Sequence, residues 1–216
     1  ARRPGGGAVS DLAERMCRLA RSLFERGLTP GSSGNLSARL PEGGYLVTPT
    51  NASLGRLVPE RLSRLDAAWG HVGGDRPTKE VALHRAFYDT RGGTGAVVHL
   101  HSFHAVALSL RPDLDPEDVL PPLTPYPVMR LGAVPLLPYV MPGDPGMGEA
   151  VRALGGRRKA VLLANHGPVV ADASIEAACD AIEELEEAAR LALLAPPGAR
   201  RLCSEDVAAL RRRFPV

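Results

Sequence analysis

The chain has 216 residues, of which 44% are hydrophobic and 23% charged, a composition typical of a soluble globular domain that buries its own core. A net charge of +2 is too small to favour a nucleic-acid partner, and no apolar run is long enough to span a membrane. Three widely spaced cysteines predict neither a disulfide framework nor a cysteine metal site, which fits a reducing cytoplasm. We predict a flexible tail over residues 1–9 and one domain over residues 10–216.

Apolar periodicity and turn residues predict alternating helices and short strands, and therefore an α/β chain. The first helix is expected after Ser10, a candidate N-cap, and before Gly27. The next predicted elements are strands over 35–40 and 45–48 around a Gly43–Gly44 turn, a helix over 78–88, a strand over 96–101 and a helix over 102–110. A Pro-rich connection follows over 112–127. Beyond it we predict a strand near 134–137, a helix near 148–154, strands near 161–164 and 169–171, a long helix through 175–189 and a last helix after 204.

Three histidines and one glutamate occupy positions that suit a catalytic divalent metal. His99 and His101 follow one apolar run of the sequence, and His166 follows another. If residues 96–101 form a strand, alternation places His99 and His101 on the same face, within reach of one ion. Together with Glu80 they offer three neutral nitrogens and one exchangeable oxygen ligand. That set describes an open site, which can accept substrate oxygens, rather than a closed structural one.

The alternative is that these histidines bind nothing. A His-x-His pair on a strand is a weak signal, because such pairs are often surface or partly buried residues. Both sets, however, lie where an apolar strand meets a loop, and sites in α/β proteins gather at strand ends. We expect His71 and His84 to be solvent or packing residues, and His104 stays ambiguous.

Three turns rich in small hydroxyl residues and glycine are candidates for binding a phosphate group. They are residues 31–35, residues 48–51 and residues 77–79, the last at the start of a predicted helix. Small hydroxyls and free backbone amides suit an anion. None of the three is a Walker loop or a dinucleotide fingerprint. Taken singly, each is as well explained as an ordinary turn.

These motifs, in this order and spacing, resemble the class II aldolase/adducin superfamily. The resemblance runs from about residue 11 to residue 194 and rests on residues 34–35, residues 48–50, Glu80, the His-x-His pair and His166–Gly167. It implies a single-domain α/β fold, with a mainly antiparallel central sheet flanked by helices in three layers. Within the superfamily, the sequence is most similar to that of 3-oxo-tetronate 4-phosphate decarboxylases around residues 50–57, 77–80, 120–124 and 163–167.

The resemblance also implies roles for individual residues. His99, His101 and His166 would bind Zn²⁺ or another divalent transition metal, and Glu80 would act as acid/base and ligate the metal when substrate is absent. The substrate and phosphate set implied by the resemblance is Gly34, Asn35, Thr50, Asn51, Thr78 and Lys79. The family's aldolases usually carry a hydroxyl pair at the positions of residues 78 and 79. A lysine there suggests a substrate with an extra negative group, which Lys79 would orient.

The implied reaction is decarboxylation of 3-oxo-tetronate 4-phosphate to dihydroxyacetone phosphate and carbon dioxide through a metal-stabilised enediolate. Two alternatives stay open. One is another sugar-phosphate aldolase, epimerase or dehydratase of the same superfamily, because a fold does not fix a function. The other is a non-catalytic adducin-like interaction module, which would have no reason to keep the three ligands and the acid. By analogy with the family we expect a homotetramer with active sites between subunits.

Overall fold

A computed structural model describes residues 6–216, and over that range the chain forms one eight-stranded sheet covered by helices on both faces. The strands are β1 Asn35–Arg39, β2 Tyr45–Val47, β3 Ser63–Leu65, β4 His71–Gly73, β5 Ala96–His99, β6 Leu136–Leu137, β7 Ala160–Leu163 and β8 Gly167–Asp172. The helices are α1 Gly6–Glu25, α2 Val81–Thr90, α3 Phe103–Ser109, α4 Pro125–Arg130, α5 Gly146–Ala153, α6 Ile175–Leu194 and α7 Ser204–Arg213.

The sheet order is β4-β3-β2-β1-β5-β8-β7-β6, and every neighbouring pair except β6–β7 is antiparallel. Strand alternation divides the core into two halves. Leu36 of β1 and Val98 of β5 pack in the half that also contains buried residues of α1, α3 and α6. Val97 of β5 and Val161 of β7 pack in the other half, with buried residues of α2 and α5. The predicted three-layer α/β/α arrangement with a mainly antiparallel sheet is confirmed.

The first helix begins earlier than the sequence indicated. It starts at Gly6 instead of after Ser10, and Val9 packs against the core as part of its apolar stripe. The Ser10 hydroxyl donates to the carboxylate of Glu14 instead of capping the helix. Residues 6–9 therefore belong to α1, and the rest of the predicted tail, residues 1–5, lies outside the described residues.

Two element boundaries near the candidate site also differ from the prediction. Strand β5 ends at His99, so His101 lies in the loop beyond it. Helix α2 begins at Val81, so Thr78 and Lys79 precede it and Glu80 is its N-cap residue. The amide of Thr78 donates to the carbonyl of Thr48, which joins two loops side by side and keeps this segment extended.

Three short elements were not predicted. Strands β3 and β4 have three residues each, and β4 is largely exposed within a Gly-rich stretch, so neither shows a clear apolar alternation. Helix α4 begins at Pro125 inside the Pro-rich connection, where proline fits the first helical turn. No helix in residues 6–216 has the length and apolarity needed to cross a membrane.

Candidate metal centre and active site

The three predicted histidines meet at one end of the central strands. His99 is the last residue of β5, His101 follows two residues later, and His166 precedes β8. The Nε2 atom of His99 lies 3.1 Å from that of His101 and 3.3 Å from that of His166. His166 is turned toward this point by a tight β7–β8 turn. Asn165 takes a left-handed conformation there (φ 58°), which asparagine tolerates better than most residues.

The cluster has the dimensions of a metal site. A tetrahedral ion with metal–nitrogen bonds of 2.0–2.1 Å separates its ligand nitrogens by about 3.3 Å, close to the spacings observed around His99. One ligand atom from each of the three histidines lies within 4.8 Å of the other two, so all three can reach one ion. Lone pairs on facing ring nitrogens repel each other at this spacing, so a shared cation is a partner that would suit all three imidazoles.

The protonation of the imidazoles agrees with this reading. His99 Nδ1 donates a hydrogen bond to the Pro168 carbonyl at 2.9 Å, which leaves the Nε2 lone pair directed at the cluster. Burial, reinforced by the neighbouring imidazoles, holds the pKa of His99 well below its ordinary value. Burial also lowers the pKa values of His101 and His166. All three rings are therefore neutral near pH 7, as metal ligands must be.

Glu80 faces this cluster from the helix layer. Its Oε2 lies 3.5 Å from His99 Nε2, and its Oε1 lies 3.5 Å from His166 Nε2. The carboxylate is buried, and Oε2 accepts a hydrogen bond of 2.7 Å from Asn35 Nδ2. Its other oxygen, Oε1, is buried without a hydrogen-bond partner. An orphaned carboxylate oxygen beside three lone pairs is a position that a cation or an acidic proton would satisfy.

A cleft of about 230 Å³ opens beside Glu80. The predicted substrate residues that line it are Gly34, Asn35, Thr50, Asn51, Thr78 and Lys79, together with His101 and His166. His99 is fully buried and lies behind this lining. Ser32, Ser33 and Pro49 of the candidate phosphate turns also line the cleft. Two further residues, Pro142 and Gly143, complete the wall without having been singled out from the sequence. The structure therefore brings every predicted site residue to one place.

The phosphate-binding prediction needs one physical correction. The amides of Thr50 and Thr78 donate to the carbonyls of Arg76 and Thr48, so they are not free for an anion. The helix N-terminus lies one turn further along than expected, at Val81. Anion binding in this cleft would instead depend on side-chain hydroxyls, on the backbone at Gly34 and on Lys79, which is exposed.

His84 is the residue beside the site whose bonding the sequence did not predict. It was expected to be a solvent or packing residue, but it is fully buried and bonded at both ring nitrogens. Its Nε2 lies 2.5 Å from Asn35 Oδ1, and its Nδ1 lies 2.7 Å from Ser37 Oγ. The signal was available: Glu80 and His84 are four residues apart at the start of one helix, so they share a face.

Comparison with known proteins adds to this geometry. The family model described as Class II Aldolase and Adducin N-terminal domain matches residues 14–193. The chain belongs to this family. It is 50% identical to 3-oxo-tetronate 4-phosphate decarboxylase of Cupriavidus necator over 84% of this chain and 83% of that protein. It is 47% identical to the Escherichia coli K12 protein of the same name, over 93% of this chain and 95% of that one.

A solved structure agrees with these matches. YgbL of Escherichia coli, described as a candidate aldolase/epimerase/decarboxylase, is similar with a TM-score of 0.91 and 45% identity, over 94% of this chain and 99% of that one. The class II aldolase resemblance drawn from the motifs is confirmed, and so is the similarity to the decarboxylases. The family is generally dependent on a divalent metal, which fits the three-histidine cluster.

Proposed function

We propose that this protein is a lyase that decarboxylates 3-oxo-tetronate 4-phosphate to dihydroxyacetone phosphate and carbon dioxide. The observation that carries the proposal is the near-full-length identity of 47–50% to decarboxylases of that name. The metal-sized histidine cluster with a buried carboxylate beside it supports a catalytic role over an interaction module. Such a module would gain nothing from gathering three imidazoles around a buried carboxylate that has an unpartnered oxygen.

The chemistry requires an electron sink and one proton. The C1–C2 bond breaks, carbon dioxide leaves, and its electron pair forms the C2–C3 double bond while the C3 ketone oxygen becomes negative. A bound divalent ion would supply the positive charge that stabilises this developing negative charge. One proton from solvent must then reach C2, which restores the ketone and gives dihydroxyacetone phosphate.

We propose that His99, His101 and His166 hold that ion and that it is Zn²⁺, because three neutral nitrogens with an open position are typical of its catalytic sites. Glu80 relays the proton to C2. Its unpartnered Oε1 faces the cluster, so the same carboxylate is placed to ligate the ion when substrate is absent. These roles fit one carboxylate because its two oxygens have different surroundings.

The cleft residues beside Glu80 are proposed to bind the two ends of the substrate. The hydroxyls of Thr50 and Thr78, the amide of Asn51 and the backbone at Gly34 line the wall that would hold the phosphate group. The second N–H of the Asn35 side-chain amide, which is not bonded to Glu80, is also proposed to donate to the phosphate group. Lys79 is proposed to orient the carboxylate or the phosphate. Gly143 packs against the Lys79 side chain, since a Cβ added to Gly143 would lie 3.2 Å from Lys79 Cβ. This contact restricts the direction in which the lysine side chain extends from the cleft wall.

We propose a homotetramer with active sites completed between subunits. Tyr139 and Met141 are largely exposed and directly precede Pro142 and Gly143 of the cleft wall. Exposed apolar side chains beside a cleft are typical of surfaces that a neighbouring chain covers. Sedimentation velocity should give four times the chain mass, and a monomer that is fully active would contradict the shared site.

The cytoplasm is the proposed compartment, since Cys17, Cys179 and Cys203 are all unpaired.

The proposed reaction is tested by following carbon dioxide and dihydroxyacetone phosphate together from zinc-loaded protein and 3-oxo-tetronate 4-phosphate, with a chelated sample beside it. Equal, chelator-sensitive release of both products is the expected result. If neither is released, L-fuculose 1-phosphate and ribulose phosphates test the aldolase and epimerase alternatives, which also leave an enediolate on carbon–carbon bond cleavage.

Glu80→Gln tests the proton relay. The amide oxygen can still accept from Asn35, so the protein should fold, while kcat falls by about 10²- to 10⁴-fold. Glu186→Gln is the matched control, because Glu186 has the same 8% exposure as Glu80 but accepts from the backbone N–H groups of His104 and Ala105. It should lose stability and keep the activity per folded molecule. Wild-type kcat in Glu80→Gln would refute the assignment.

A further inference from the structure

Helix α2 and strand β1 face each other through two matching rows of polar side chains. Glu80, His84 and Tyr88 are spaced by four residues and share one helix face. Asn35 and Ser37 are spaced by two residues and share one strand face. Four helical residues advance about 6 Å and two strand residues about 6.6 Å, so the two rows stay in step along their length.

The rows are joined by an unbroken chain of buried hydrogen bonds. Tyr88 Oη lies 3.0 Å from Ser37 Oγ, and Ser37 Oγ lies 2.7 Å from His84 Nδ1. His84 Nε2 lies 2.5 Å from Asn35 Oδ1, and Asn35 Nδ2 lies 2.7 Å from Glu80 Oε2. The chain runs from the interior of the core to the carboxylate at the metal cluster. All five side chains are buried.

Only one direction of donation satisfies every member of this chain. A carboxylate accepts, so Asn35 must present its nitrogen to Glu80 and its oxygen to His84. The oxygen in turn requires the N–H of His84 at Nε2, which leaves Nδ1 to accept from the Ser37 hydroxyl. Ser37 then accepts from Tyr88. Burial lowers the pKa of His84 to about 3, so the ring is neutral and has one donor and one acceptor, as this order demands.

We propose that His84 is a positioning residue for the reaction, which locks the Asn35 amide so that its nitrogen holds Oε2 of Glu80 and Oε1 is left facing the metal cluster. This rests on the role of Glu80 in the proposed function. An Asn35 amide free to flip would place its oxygen 2.7 Å from the carboxylate, and that repulsion would turn Glu80 away. Nothing in the chemistry requires His84 to meet the substrate, and it does not line the cleft.

The first test compares two substitutions of His84. His84→Phe fills the space but removes both hydrogen bonds, and it should lower kcat by about 10- to 100-fold. KM should rise by less than about tenfold, through the one contact that the Asn35 amide is proposed to make with the phosphate. His84→Gln keeps a donor at the position of Nε2 and should recover most of the loss. Equal kcat for wild type and His84→Phe overturns the proposal. So does a loss in His84→Gln as large as in His84→Phe.

The second test uses two serines of the same sheet, in case phenylalanine disturbs folding. Ser37 and Ser63 are both fully buried, but the Ser63 hydroxyl has no hydrogen-bond partner. Ser37→Ala removes the donor that sets the His84 tautomer, whereas Ser63→Ala removes a hydroxyl of the same kind outside the chain. We expect a lower kcat, by about tenfold, only for Ser37→Ala. Equal effects of the two substitutions contradict the proposal.

Deuterium incorporation separates positioning from structural damage. In D₂O the wild-type product should carry deuterium stereospecifically at its new C–H bond, because Glu80 delivers it from one side. Misplaced Glu80 should give a mixture of both configurations in His84→Phe at unchanged zinc content. Retained stereospecificity in that variant counts against the proposal.

One readout is independent of the substrate, so failure of the proposed reaction can be distinguished from failure of this inference. Nitrogen-15 NMR of the metal-free protein should show the His84 ring protonated at Nε2 and a slowly exchanging Asn35 side-chain amide. Both signals should change in Ser37→Ala and persist in Ser63→Ala. An Nδ1–H tautomer in wild type overturns the inference even if decarboxylation is observed. If the tautomer is as expected but no decarboxylation occurs, only the proposed substrate is refuted and the inference about His84 stands.

Discussion

Gly167→Ala should damage the proposed metal centre without replacing any of its proposed ligands. Gly167 follows His166 and adopts φ +155°, and a Cβ there would lie 2.3 Å from the Leu100 carbonyl oxygen. Real Cβ atoms essentially never approach within 3.0 Å, so one of the two segments must move. Leu100 is the residue between His99 and His101. The collision is therefore between the two segments that supply all three imidazoles.

The expected cost has two parts. The unfavourable backbone conformation costs about 1–3 kcal/mol for a residue with a side chain. The forced displacement costs about 1–3 kcal/mol more, as overpacking does in other cores. We therefore expect Gly167→Ala to lose about 2–6 kcal/mol, a large share of the roughly 5–15 kcal/mol that stabilises a typical domain. Urea unfolding of the metal-free protein measures this loss.

Two other glycines separate the contributions. Gly43 has φ +98° and no atom within 4 Å of its missing Cβ, so Gly43→Ala should cost only about 1–2 kcal/mol. Gly95 precedes β5 at the end away from His99, and its Cβ would lie 2.0 Å from the Ala173 carbonyl oxygen, so Gly95→Ala should destabilise by collision alone. Zinc affinity, measured by competition with a chelating dye, should fall by about tenfold or more only in Gly167→Ala. Wild-type affinity in that variant would refute the coupling between this contact and the ligands.

Three further outcomes are expected. His84 cannot take up the proton that the unfolded chain binds near pH 6.5, so the free energy of unfolding of metal-free protein should fall by about 2 kcal/mol from pH 6.5 to 5 through this group. In urea, His84→Phe should show a correspondingly shallower pH dependence, and parallel profiles would contradict this. Lys79→Met should lower kcat/KM by about 10- to 100-fold, the worth of one charged hydrogen bond, with unchanged unfolding; an unaltered kcat/KM removes Lys79 from the site. Lys159→Met breaks a largely buried 2.5 Å ion pair with Asp172 and should lower the free energy of unfolding by about 3 kcal/mol. Arg85→Met breaks a more exposed pair with Asp89 and should lower it by about 0.5 kcal/mol. Similar losses in the two variants would count against burial as the cause of the difference.

The sequence predicted what local patterns can encode. His99, His101 and His166 each follow an apolar run that forms a buried strand or ends in a tight turn, so their convergence could be expected from strand ends alone. The long helices were found because their apolar stripes are long. Strands of three residues, such as β3 and β4, carry too few alternations to be recognised.

What could not be predicted depends on residues distant in the chain. His84 and Asn35 are separated by 49 residues and meet only because α2 packs across β1. The four-residue spacing from Glu80 indicates which helix face His84 is on, but the partners of its two ring nitrogens come from β1 and cannot be predicted from that spacing. The helix start at Val81 depends in the same way on the bridge between the loops at Thr48 and Thr78. Propensity alone favours a helix over that segment, and tertiary hydrogen bonds override it.

The ligands and the acid belong to different layers of the fold. His99 and His166 are fixed to the central strands, whereas Glu80 stands at the start of α2 on the helix layer. A small shift of that helix would move Glu80 relative to the proposed ion and leave its three proposed histidine ligands undisturbed. Evolution could therefore retune which carbon receives a proton, by changing side chains between α2 and β1, without ever passing through an ancestor that had lost its metal.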